Sequence, residues 1–154
     1  LRLTGSMNNP IVYKEDFDFE IGKAIELRQG DDVAIIATGS MVHCALKAAE
    51  HLEAMGISAS VLDMHTIKPL DITAVEAACK RKLLVTVEEH SIIGGLGSAV
   101  AEKLALKTIH PPHLIIGAPD VYPHAGDYVS LLDSCGLTPD KVAGKILETY
   151  KELF

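Results

Sequence analysis

The sequence contains no tryptophan, and aromatic residues make up only 5% of its 154 positions. Alanine, isoleucine, leucine and valine dominate instead, a profile that suits a layered α/β domain. Cysteine is scarce: Cys44, Cys79 and Cys135 are odd in number and show no CxxC spacing. That pattern argues against a disulfide framework or a zinc ribbon and favours reduced thiols in a cytoplasmic protein. Positive charge is also short, with 14 Lys and Arg against 21 Asp and Glu and a formal net charge of -7. Lys and Arg nowhere form a stripe, so a nucleic-acid surface is excluded. No apolar run approaches the ~20 residues needed to span a membrane, and no secretory signal pattern is visible. Repeats and low-complexity segments are absent too. What remains is an ordinary globular composition, 48% apolar and 23% charged, long enough for one domain with a substantial core.

The stretch LLVTVEEHSIIGGLGSAV, Leu83 to Val100, organises the rest. Leu83–Val87 is apolar except for Thr86 and reads as a strand buried on both faces, as in a parallel sheet. Glu88, Glu89 and His90 stand at its carboxyl end. Gly94, Gly95 and Gly97 then bring the backbone round, and Ser98–Leu106 continues with Ala99, Val100 and Leu104 at helical spacing. Glycines at such a turn allow positive φ or close approach to another surface.

Elsewhere the punctuation is clear. Leu1–Leu3 with Thr4 and Gly5 reads as the tail of a strand already under way. Polar, acidic residues interrupted by Pro10 follow, so 1–17 is expected to be the end of a preceding domain and a linker, or else an N-terminal arm. Lys23–Leu27, the turn cluster Gln29-Gly30-Asp31-Asp32 and the apolar run Val33–Ala37 predict an antiparallel pair. After Thr38-Gly39-Ser40, residues Val42, Ala45, Leu46, Ala49, Leu52 and Met55 share one helical face ending at Gly56. Ile57–Met64 alternates as a strand. Pro69 and the N-cap candidate Asp71 then precede a helix carrying Ile72, Val75, Ala78 and Cys79. Past His110-Pro111-Pro112-His113, Leu114–Gly117 is a last short strand. Tyr128, Leu131, Leu132 and Cys135 mark a short helix stopped by Gly136, and Thr138-Pro139-Asp140 opens the final one. Strands alternating with helices imply a mostly parallel sheet covered on both sides. If the strand at Leu83 lies beside the one at Val33, the turns Thr38–Ser40 and Gly94–Ser98 share a crevice at a topological switch point, where open α/β sheets bind ligands.

Gly95-Leu96-Gly97 could cradle a phosphate at a helix N-terminus. Against this, Val100 stands where the dinucleotide fingerprint needs a small residue, and Glu88 and Glu89 put negative charge at the same mouth. Glycines that allow close packing are the simpler reading. Glu88, Glu89 and His90 could form an acid/base or metal set, but neighbours in a strand point to opposite faces, so at most two converge. Bonds to a partner surface or to nearby helix ends suit them better. His43, His51, His65, His110, His113 and His124 are scattered, and Ser40, Ser91 and Ser98 lie outside any GxSxG elbow. No catalytic, cofactor-binding or metal-binding set is complete. The loop of Glu88, Glu89, His90, Gly94, Gly95, Gly97 and Ser98 stands as the candidate interface or anion site.

Five segments in order resemble the C-terminal domain of transketolase-type, thiamine-diphosphate-dependent enzymes. They are Phe19–Ala24, Asp32–Gly39, Ile67–Asp71, Thr86–His90 with Gly94–Ser98, and Gly126 onward through Leu131, Leu132, Gly136 and Thr138. The group includes transketolase, deoxyxylulose-5-phosphate synthase and the β subunits of oxo-acid dehydrogenases, and the resemblance covers 18–154. It implies a three-layer α/β/α domain, with about five mostly parallel strands and one antiparallel edge strand. It also implies a non-catalytic role in assembly: a homodimer, and packing against the pyrimidine- and diphosphate-binding domains of the same enzyme. Those domains would hold thiamine diphosphate and Mg²⁺, since the metal-binding GDG followed by Asn does not occur here. The assembled enzyme would move a two-carbon ketol unit between sugar phosphates. Two other readings stay open: a β-subunit domain of an oxo-acid dehydrogenase, and a free nucleotide-binding regulatory module.

Overall fold

The computed structural model describes residues 10–154, so the strand tail expected at Leu1–Leu3 lies outside the described residues. The strands are β1 (Ile25–Arg28), β2 (Val33–Ala37), β3 (Ala59–Asp63), β4 (Leu83–Ser91) and β5 (His113–Ala118). The helices are α1 (Met41–Ala54), α2 (Ile72–Ala78), α3 (Leu96–Leu104), α4 (Tyr128–Ser134) and α5 (Pro139–Leu153).

Every residue of β2 is apolar, and each has 0% of its surface exposed. Such a strand is stable only with helices on both faces and strands on both edges. β3 and β4 supply the edges in parallel, Val33 lying opposite Ala59 on one side and Leu83 on the other. The sheet runs β1-β3-β2-β4-β5, with only β1 antiparallel. Val33, Ile35 and Ala37 face α1 and α5, in one core with Leu52, Val142 and Ile146. Ala34 and Ile36 face α2 and α3, in another with Val75, Leu96 and Val100. Three layers result, as expected.

The expected hairpin is not formed. β1 pairs with β3, Ile25 opposite Asp63, and β3 lies between β1 and β2. A strand apolar on both faces takes parallel neighbours, which leaves half-exposed IELR for the edge. The chain reaches β2 by crossing the start of β3 at Gly30, where a β-carbon would overlap the backbone of Ala59 and Ser60. Asp32 then secures the crossing. Its carboxylate accepts from Ser58 N at 3.0 Å, Lys82 Nζ at 2.9 Å and Tyr150 Oη at 3.2 Å.

Asp71 caps α2 as expected, accepting from Ala74 N at 3.0 Å and also from Ala24 N at 2.9 Å. Burial opposes its charge, but these N–H bonds outweigh it and hold the carboxyl below its ordinary range. On the α3 side of the sheet, Thr86 Oγ1 meets His113 Nε2 at 3.1 Å. Burial first, and then His110, push the His113 pKa down to about 4.

The unfolded chain therefore takes a proton on His113 as pH falls through about 6.5, while the folded chain resists it down to about 4. Stability present above that window is lost within it. Relative to His113→Gln, the native chain should lose on the order of 1–2 kcal/mol more between neutral pH and pH ~4.5, read by urea unfolding. Parallel pH profiles would refute the assignment.

Candidate functional site

β4 continues past its apolar run to Ser91, because the β5 pairing resumes at Ser91 and Ala118 after a shift in register. Alternation along this extension sends Glu88 and Glu89 to opposite faces, as expected for neighbours in a strand. Glu88 turns toward α3 and is 1% exposed. Its carboxylate accepts from Leu96 N at 2.7 Å and Gly97 N at 2.8 Å. Gly95, at the N-cap of α3, has no side chain to offer, so Glu88, seven positions earlier in the chain, caps the helix instead. A carboxylate there also meets the positive end of the helix dipole.

The glycines fit around this contact. Gly94 takes φ +79°, and its N–H donates to Ser98 Oγ at 2.8 Å. Gly95 has φ −101°, and a β-carbon on it would overlap the Glu88 carboxylate. At Gly97 it would overlap Ile115, with Thr86 Oγ1 3.1 Å away. Only Gly94 needs the left-handed region; the other two permit close packing.

Glu89 faces the other way. One of its oxygens accepts from both Ser40 Oγ, at the start of α1, and Tyr128 Oη, at the start of α4, the latter at 2.7 Å. Burial and the Glu89 carboxylate push the Tyr128 phenol above its ordinary range. The turns at Thr38–Ser40 and Gly94–Ser98 therefore flank the same switch point between β2 and β4, where Thr38 N also donates to Val87 O at 3.3 Å. His90 joins neither corner; its Nδ1 lies 3.0 Å from Ser91 O on the exposed side. Ile92 and Ile93 follow at the tip, 37% and 62% exposed. Sequence reasoning missed Tyr128 as a partner of Glu89. The strand alternation places Glu89 on the α1 side, but nothing in the sequence gives the fold of the loop that delivers Tyr128.

Chemically, the two carboxylates are spent on internal donors. The N–H groups that would meet a phosphate at α3 already meet Glu88, and Glu89 adds further negative charge. Among the described residues no group of three or more His, Cys, Asp or Glu is arranged to hold a metal ion. This donor set does not fit a diphosphate with its Mg²⁺.

Residues 22–142 match the family model described as the transketolase C-terminal domain. The chain belongs to this family. It is similar to a transketolase C-terminal section of Methanocaldococcus jannaschii, 44% identical over 92% of this chain and 45% of that protein. It also resembles the 1-deoxy-D-xylulose-5-phosphate synthase of Thiobacillus denitrificans, 48% identical over 87% of this chain and 21% of that protein. Among solved structures, a split-gene transketolase described as an inactive β4 tetramer superposes with a TM-score of 0.84. It is 39% identical, over 94% of this chain and 47% of that one. The chain thus spans less than half the length of each of these relatives.

Glu88→Ala should cost about 1–3 kcal/mol for each buried N–H left without an acceptor. Gly95→Ala, which displaces the same carboxylate, should cost about 1–3 kcal/mol by overpacking. Because both act on one contact, the double variant should lose clearly less than the sum in urea unfolding. Additive losses would show that Glu88 and Gly95 act separately.

Proposed function

We propose that this chain is the assembly part of a thiamine-diphosphate-dependent transferase of transketolase type, which moves a two-carbon ketol unit between sugar phosphates, and that it is catalytically silent on its own. The observation that carries this reading is the filled switch point. Glu88 occupies the amides of α3, and Ser40 and Tyr128 occupy Glu89, so the usual ligand place of an open sheet is built as structure. Thiamine diphosphate and Mg²⁺ then belong to the pyrimidine- and diphosphate-binding domains of the complete enzyme. The relatives' greater length leaves room for such domains, and the split-gene neighbour is described as inactive.

Assembly uses the surface beside the filled corner. Ile92 N donates to Ala118 O at 3.0 Å, which sets the Ile92–Ile93 tip next to the loop bearing Val121 and Tyr122. Ile93 and Val121 are 62% and 68% exposed. Apolar side chains around an acidic strand end suit a homodimer contact or a domain interface. A cytoplasmic setting is consistent with the three free cysteines. Among the described residues no helix is long and apolar enough to cross a membrane.

Calorimetry of this chain with thiamine diphosphate and Mg²⁺ should show no heat of specific binding; a micromolar site would contradict the reading. In sedimentation the chain should self-associate, and Ile93→Asp should shift it toward monomer. A native chain that stays monomeric at high concentration, or a variant that associates equally well, would remove the tip from the interface.

A further inference from the structure

The segment before β1 is held in an unusual way. Among the described residues, no backbone hydrogen bond joins Pro10–Phe19 to the sheet. Side chains alone attach it. Tyr13 Oη donates to Asp63 Oδ2 at 2.6 Å, at the carboxyl end of β3. Phe17 stacks on the Tyr13 ring at 3.8 Å between centroids, and Phe19 tilts over His65 at 4.4 Å. Val12 rests on the core shared by α1 and α5. Between these anchors Lys14, Glu15 and Asp16 are exposed.

The ground beneath this segment is polar and poorly satisfied. Asp63 is 7% exposed. Its Oδ1 and the Nε2 of His65 are buried, with no hydrogen-bond partner among the described residues. Burial pushes the Asp63 carboxyl up, even though the bond from Tyr13 and the nearby His65 pull it down. Covering these atoms costs the hydration they would regain on opening. Aromatic contact and one hydrogen bond to a charged acceptor favour closure. With no ladder bonds to break, the two tendencies oppose each other locally, without involving the rest of the fold.

We propose that residues 10–20 form a releasable strap, latched over the carboxyl end of β3 by Tyr13 on Asp63, whose opening uncovers Asp63 and His65. When the strap is closed, residues 10–17, part of the expected linker, belong to the surface of the domain. When it opens, the lead into β1 swings free while the sheet stays intact, and Ala24, held by Asp71, remains the fixed end.

Trypsin cleavage after Lys14 reports opening, and hydrogen exchange at Val33–Ala37 reports the global fold. Tyr13→Phe keeps the ring but removes the latch, so cleavage should accelerate about tenfold or more, the loss expected for a bond to a charged acceptor. Exchange in β2 should not change. Adding Asp63→Leu to Tyr13→Phe removes the buried charge that the strap would otherwise strand, and should slow cleavage again. Three results would each overturn the proposal: equal cleavage of native chain and Tyr13→Phe, β2 exchange that rises together with cleavage, or a double variant cut as fast as the single one.

Discussion

The two hydrogen bonds that the first amides of α3 donate to the Glu88 carboxylate set the shape of the whole switch point. A buried carboxylate is costly unless several donors surround it, and the open end of a helix provides them without another side chain. To reach those amides, β4 must run on past its apolar core, and the turn must double back within a few residues. The glycines follow from this. Gly94 turns the chain, Gly95 leaves room for the carboxylate, and Gly97 lets α3 lie against Ile115 and Thr86. With α3 seated, Leu96 and Val100 close the core over Ala34 and Ile36.

The same arrangement bears on function. In open α/β sheets, helix N-termini at a switch point are ready anion sites, positive and rich in unpaired donors. Here α3 is neutralised from within, and the neighbouring acid, Glu89, ties the starts of α1 and α4 together. A corner that elsewhere holds a ligand instead holds its own helices in register. The assembly role proposed for the chain fits a corner of this kind, because a domain serving assembly gains from rigidity where a binding domain would need a vacancy.

Much of this was legible in the sequence. Val33–Ala37, apolar throughout, read as a strand, Leu83–Val87, apolar except for Thr86, as one buried on both faces in a parallel sheet, and Thr138-Pro139-Asp140 as a helix start. The divergence of Glu88 and Glu89 followed from the two-residue period of a strand. The pairing of β1 was not legible. Gln29-Gly30-Asp31-Asp32 has hairpin chemistry, yet Gly30 is there to pass closely over Ala59, a contact between residues far apart in sequence. Contacts between distant loops were equally silent: Tyr128 on Glu89 and Tyr13 on Asp63 depend on where irregular segments land, and no periodicity encodes that.

The amide proton–nitrogen spectrum of the chain, titrated with pyrophosphate, reads the state of this corner most directly. If Glu88 fills it, the Leu96 and Gly97 amides stay where they are throughout the titration and exchange slowly with solvent. Saturable movement of those two resonances, with fast exchange in the absence of pyrophosphate, would mean that the amides are free and that the corner is an anion site after all.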